Sequence, residues 1–296
     1  MRSGRCCDYL PWRKAQITNW YRAVDSISWA KLVRLLCSPE IWVRQIIRRL
    51  SIGSLDFRLA LLALDRAQYA FGVKQAIFLA SRLGHRSVSV IEFGVAAGSG
   101  LLLLETYAAE LGRRAGIQVE VYGFDTGSGL PAASDYRDLG YIWKRGQYQM
   151  DVAGLRAKLK SAKLLLGDVR QTVPEFLRSQ HAPIGFISFD LDLYSSTKAA
   201  FEVFAASDPA ILPRILCYFD DVISSAHQLH CEYTGELLAI REFNQEGDGS
   251  RALAPIGVLN ANLLFSTVWT QQLWVYHRFH HPEYNTYIGA QNPSMR

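Results

Sequence analysis

Between residues 88 and 219, short apolar runs alternate with longer amphipathic stretches, and this alternation constrains the fold more than any other feature of the sequence. The runs are 88–93 (VSVIEF), 117–124 (IQVEVYGF), 163–166 (KLLL), 184–189 (IGFISF) and 215–219 (ILCYF). Helical spacing marks 99–112, 151–161, 173–180 and 195–206 between them. Such brief apolar runs read as strands buried on both faces. Helices between consecutive strands imply parallel crossovers, with the helices covering both faces of one sheet. The expected class is therefore α/β. Ligands of such sheets gather beyond the carboxyl ends of the strands, so the residues after each run are where chemistry is expected.

The first run opens into Glu92-Phe-Gly94-Val-Ala-Ala-Gly98-Ser-Gly100. This reads as a strand, a glycine turn and a helix start. Gly94 and Gly98 would let backbone approach a ligand with no Cβ in the way, and the free amides of the new helix can meet an anion. Glu92 can accept from a cationic amine. The glycine spacing is not that of a dinucleotide fingerprint. The second run ends at Asp125, an acid placed either to bind ribose hydroxyls or to cap the next turn. The third ends in Gly167-Asp168, where the acid faces an exocyclic amine or caps a turn. The fourth and fifth end in Asp190-Leu-Asp192 and Asp220-Asp221. Four carboxylates at one sheet edge repel one another, and a hard divalent cation such as Mg²⁺ would relieve that repulsion. The alternative is four turn and cap acids, with Ser195, Ser196 and Thr197 opening a helix. His227, His230, His277, His280 and His281 have ligand-like spacing without a Cys/His partner set, so a structural role is expected, although His227 lies near the acidic edge.

The remainder of the chain bounds the setting. Residues 1–50 hold ten Lys/Arg against three acids, a balance of +7, while the whole chain of 296 residues carries +5. Helical spacing recurs at Trp29, Leu32, Leu35 and Leu36, and again at Ile41, Val43, Ile46, Ile47 and Leu50. This segment reads as helices that pack on the main domain or on a second copy of the chain, or that lie on a membrane surface. Ser51-Ile-Gly-Ser is a break, and 55–84 read as helical up to Gly84. Late in the chain, 263–268 and 272–279 can pair as a hairpin. The five cysteines are scattered and suggest neither a disulfide framework nor a zinc site. A reducing cytoplasm is the expected setting. No apolar stretch has the length of a membrane span, and the N-terminus lacks the apolar core of a secretory signal.

Six segments occur in one order: IEFGVAAGSG (91–100), VYGFDTGSGLP (121–131), LLGDVRQTVP (165–174), FDLDLYSSTKAAFE (189–202), FDDV (219–222) and GELLAIREF (235–243). Together they resemble the macrocin-type sugar O-methyltransferase family, class I S-adenosylmethionine-dependent methyltransferases that act on sugar hydroxyls of macrolides and aminocoumarins. The resemblance implies a Rossmann-like seven-stranded sheet whose last pair is antiparallel. It implies a methyltransferase domain over 85–296; the N-terminal helical, basic segment over 1–84 lies outside the resemblance and is read from its charge and helical spacing. It places Glu92, Gly94 and Gly98 around the methionine part of S-adenosylmethionine, Asp125 at the ribose and Asp168 by the adenine. It assigns Asp190, Asp220 and Asp221 to Mg²⁺ and Asp192 to general-base work. The implied partner is a small-molecule acceptor; no nucleic acid is expected, since a base-flipping Asn/Asp-Pro-Pro-Tyr motif is missing. The alternative function is a methyltransferase-fold protein that is non-catalytic or differently catalytic, hydroxylase-like, or bound to glycans or membranes. The sequence departs from the family in two places. Asp208-Pro-Ala-Ile-Leu-Pro-Arg214 replaces a Gly-Gly turn, and the loop 126–150, with Pro131, Tyr136, Tyr141, Trp143 and Tyr148, is longer and more aromatic.

Overall fold

The computed structural model describes residues 38–225, 227–257 and 267–289. The chain divides into two compact units, residues 1–63 and 64–296. The helical spacing read at Trp29, Leu32, Leu35 and Leu36 lies outside the described residues.

In the first unit, α1 (Pro39–Arg49) starts on a proline, whose missing N–H costs nothing at a helix start. Glu40 in its first turn and Arg48 and Arg49 in its last complement the helix dipole. The chain breaks over 51–54 as the sequence suggests. Ser54 then caps α2 (Leu55–Ala60), accepting from the Phe57 N–H at 3.1 Å.

The second unit begins with a difference from the sequence reading, because 55–84 is not one helix. The chain turns over 61–66, with Leu62 and Arg66 in the left-handed region, before α3 (Ala67–Arg82). No glycine or proline marks that turn. There follow β1 (Ser87–Phe93), α4 (Ser99–Ala115), β2 (Gln118–Asp125), α5 (Val152–Lys158), β3 (Lys163–Leu166), α6 (Val169–Arg178), β4 (Ile184–Phe189), α7 (Tyr194–Ala200), β5 (Ile211–Phe219), α8 (Gly235–Gln245), β6 (Arg251–Pro255) and β7 (Leu273–Arg278). The strands form one seven-stranded sheet in the order β3-β2-β1-β4-β5-β7-β6. The first five are parallel, and β7 is antiparallel to both β5 and β6. This is the expected Rossmann-like architecture with an antiparallel end.

The hairpin expected late in the chain forms with a different first strand. Residues 272–279 do contain β7, but its hairpin partner is Arg251–Pro255. Of the segment expected to pair with it, 263–266 lie outside the described residues and Val268 sits in a 3-10 turn. β5 also starts earlier than its apolar run, at Ile211. Pro213 falls where the register with β4 slips between Ile184 and Phe186, and a proline is tolerated in a strand at such an irregularity.

Register explains the core. Phe124, Phe93, Phe189 and Phe219 are cross-strand neighbours on one face, with ring centroids 4.8, 5.3 and 4.7 Å apart in succession. On that face Phe176 of α6 meets Phe124, and Phe201 meets Phe189. On the opposite face Phe186 of β4 packs against Tyr69 of α3. Gly72 of α3 has no Cβ where that phenyl ring lies. With side chains alternating along each strand, the residues next to the phenylalanines, Glu92, Ser188 and Tyr218, form a row on the α3 face.

Candidate active site

The same register carries the strand ends to one line. Immediately after the phenylalanine row come Gly94, Asp125, Asp190 and Asp220, and a cavity of about 520 Å³ opens there. Its lining includes Gly94, Asp125, Asp168, Asp190, Asp192, Asp220 and Asp221, seven of the nine residues singled out in the sequence. Glu92 and Gly98 are not among its lining residues. Gly98, in the left-handed region, caps α4 instead. Glu92 is 1% exposed on the α3 side of the sheet. Its Oε1 accepts from the Tyr69 hydroxyl at 2.7 Å and lies where a Cβ on Gly100 would sit. Burial is the main reason its pKa is pushed up to about 8, against the pull of Tyr69 and Arg66.

Gly94 is required for its space. With φ of 83° its Cβ would collide with the Asp190 carbonyl oxygen. The turn after it is held by Asp125: Oδ2 accepts from the Val95 and Ala96 amides at 3.0 and 2.9 Å, and Oδ1 from Gly127 N at 2.6 Å. Asp168 caps α6, accepting from Arg170 N at 2.9 Å, and its carboxylate is also gripped by the Arg170 guanidinium at 2.5 to 3.1 Å. That cap explains why α6 begins at Val169 rather than at the expected 173.

The acidic cluster is drawn together as the sequence suggests, but by a different route. Alternation along a strand does not align Asp190 with Asp192, because β4 has ended and Asp192 adopts φ of 60°. Its amide donates to Asp221 Oδ2 at 3.0 Å, tying the two strand ends together. Tyr218 donates to Asp220 Oδ1 at 2.6 Å. Asp192 and Asp221 are buried. Burial first, then the neighbouring carboxylates, raises the pKa of Asp190, Asp192 and Asp221. Among the described residues no three His, Cys, Asp or Glu side chains form a metal-binding group. The donors themselves suit a hard cation, being carboxylate oxygens whose repulsion a dication would relieve. One histidine reaches this cluster, His230, whose Nδ1 bonds to the Asp221 carbonyl, whereas His277 pairs with Tyr284 and His281 with the Asp208 carbonyl. His227 does not line the cavity, while its neighbour Gln228 does.

Four residues escaped the sequence reading. Glu236, fully buried, accepts from Asp221 N at 3.0 Å while its Oε1 finds no partner among the described residues. Asp138, also fully buried, accepts from Ser195 N and Ser134 N, both at 2.7 Å, and from Ser195 Oγ at 3.0 Å. It pins the loop 126–150 to the start of α7. Trp143 and Tyr148 of that loop line the cavity, whereas Tyr136 and Tyr141 are 73% and 62% exposed. Tyr69 and Arg66, the remaining two, join the back of the sheet to the cavity. The Tyr69 hydroxyl donates to Glu92 and accepts from Ser188 Oγ at 3.1 Å and Arg66 Nη1 at 3.2 Å. Arg66 Nη1 lies 3.6 Å from Asp190 Oδ2. Glu236 alone had a signal, since it falls in the GELLAIREF stretch; Asp138, Tyr69 and Arg66 acquire their roles only through distant partners.

No protein-family model and no curated protein matches this sequence. Among solved structures, the calicheamicin methyltransferase CalS11 is similar at 20% identity, covering 95% of this chain and 100% of that one, with a TM-score of 0.47. The O-methyltransferase NovP is similar at 14% identity over 72% of this chain and 80% of that one, with a TM-score of 0.48. TomG from Streptomyces achromogenes, an O-methyltransferase of tomaymycin synthesis in complex with SAM, is similar at 13% identity over 81% and 88%, with a TM-score of 0.38.

Proposed function

We propose that the chain is an S-adenosylmethionine-dependent O-methyltransferase acting on a hydroxyl of a sugar or other small natural-product-like acceptor, assisted by a divalent metal such as Mg²⁺. The observation that carries this reading is the convergence, on one cavity, of the Gly94 turn, Asp125, Asp168 and the Asp190/Asp192/Asp220/Asp221 cluster. The cavity has the size of a small-molecule site. The Gly94 turn offers backbone with no Cβ in the way, Asp125 the ribose side and Asp168 the adenine side. Asp190, Asp220 and Asp221 would hold the metal.

S-adenosylmethionine, when bound, would supply a methyl carbon already activated by its sulfonium, and Mg²⁺ would supply positive charge that favours loss of the acceptor's hydroxyl proton. The chain's own residues align and deprotonate. Trp143 and Tyr148, with ring centroids 6.2 Å apart, form an aromatic wall against which a sugar or phenol can stack. Asp192 accepts the hydroxyl proton. Its raised pKa suits that task, since a base works best near the operating pH. The Asp221 carboxylate holds Asp192 by accepting from its backbone N–H, and Glu236 holds Asp221 in the same way. The loop closes the wall and limits water.

Isothermal titration with S-adenosylmethionine, with and without Mg²⁺, tests the cofactor reading, followed by mass-spectrometric methyl transfer to a panel of glycosides and phenols. Asp220→Asn and Asp190→Asn are expected to abolish transfer while S-adenosylmethionine still binds. Activity unchanged in both variants, or unaffected by EDTA, removes the metal from the reading.

A further inference from the structure

We infer that Arg66 is the cavity's anchor for the α-carboxylate of the methionine group, a role that rests on the cofactor reading above and that no sequence motif assigns. The amino-acid head of the donor is a zwitterion, so its site must offer a cation to its carboxylate. Among the described residues lining the cavity, Arg66 and Arg170 carry the only Lys or Arg charges. Arg170 is committed, because its Nε and Nη2 grip Asp168, beside the adenine in the proposed pose. Arg66 is placed differently. Its Nη1 takes both of its polar contacts, Tyr69 and Asp190, and Nε and Nη2 have no partner among the described residues. Its side chain is 33% exposed and forms part of the cavity wall. A guanidinium whose Nε–Nη2 edge is free matches a carboxylate in a two-point pair.

The surroundings support that use. Glu92, the acid a motif reading would place at the methionine head, is sealed behind the glycine turn and bonded to Tyr69. The polar group that does reach the cavity from that side is Arg66, braced by the same tyrosine. Its guanidinium lies 5.3 Å from the centre of the Tyr69 ring. Arg66 also holds φ of 43° and ψ of 55° at the start of α3, a strained conformation for a side-chain-bearing residue. That backbone aims the side chain from the helix end toward the strand ends, and such strain concentrates at ligand sites.

The test is a coupling between one residue and one ligand group. Wild-type chain and Arg66→Gln are titrated calorimetrically with S-adenosylmethionine and with its decarboxylated form, which lacks only the carboxylate. Wild type is expected to favour the intact molecule by roughly ten- to hundredfold, the range of a charge-assisted hydrogen-bonded pair. In Arg66→Gln the preference is expected to fall to near unity, the decarboxylated form binding about as well as it does to wild type. Arg66→Lys keeps the charge but loses the fork, and an intermediate preference is expected; this variant carries the test if Arg66→Gln fails to fold. A preference retained in both variants overturns the assignment while the cofactor reading stands. Wild type that binds neither molecule overturns the cofactor reading itself, and the assignment with it.

Discussion

At the residue scale, Glu92 makes the sharpest prediction. Its ordinary pKa of 4.5 is raised to about 8 in the fold, chiefly by burial. Between those values the native chain holds a proton that the unfolded chain releases, so stability falls as pH rises through that window. Urea titrations at pH 5 and pH 8 should show wild type losing stability toward the higher value, and Glu92→Gln losing less of it. Tyr69→Phe removes the hydroxyl that donates to Glu92 and accepts from Ser188 and Arg66. Leaving those groups unpaired is expected to cost about 1–3 kcal/mol in the same measurement. For Asp192, the general base of the proposed reaction, Asp192→Asn should lower kcat by about 10²–10⁴ while S-adenosylmethionine binding by calorimetry is retained.

Elements decide how the site's wall behaves. The loop 126–150 is tied down by the Asp138 carboxylate and by Leu139, Trp143 and Leu193, which pack as a small core of their own. Asp138→Ala should free the loop without touching the acidic cluster. The expected signature is a several-fold rise in acceptor KM with a smaller change in kcat, together with faster proteolysis near exposed Tyr136 and Tyr141. The legibility of the sequence follows the same division. β1, β2, β3 and β4 and the acids at their ends could be read because apolar runs and their stops are local signals. The cavity gathered seven of nine chosen residues for that reason. The turn over 61–66 was missed because it uses Leu62 and Arg66 where glycine would be the usual marker. The start of β5 was missed because Pro213 argues against a strand unless the bulge is known. That Glu92 lies outside the cavity lining was not legible, because the motif gives its position along the chain but not which face of β1 it occupies. Asp138 could not be found at all, since its meaning lies in Ser195, far along the chain.

For the whole molecule, ligand linkage gives a prediction independent of turnover. S-adenosylmethionine at a hundred times its dissociation constant should add about 2.7 kcal/mol to the stability of the native chain. A rise in melting temperature should follow and be absent with adenosine at the same concentration if the methionine head contributes most of the binding. The order of the sheet has a consequence of a different kind, in the making of the protein. β5 has β4 on one side from early on, but its other neighbour is β7, which lies beyond β6 in the chain. During synthesis β5 therefore leaves the ribosome with one hydrogen-bonding edge open, and that edge stays open until Leu273–Arg278 has also emerged. An open edge invites pairing with another chain. Nascent chains stalled or cleaved between Val222 and Leu273 should then aggregate or recruit chaperones, although every residue of the acidic cluster has already been translated.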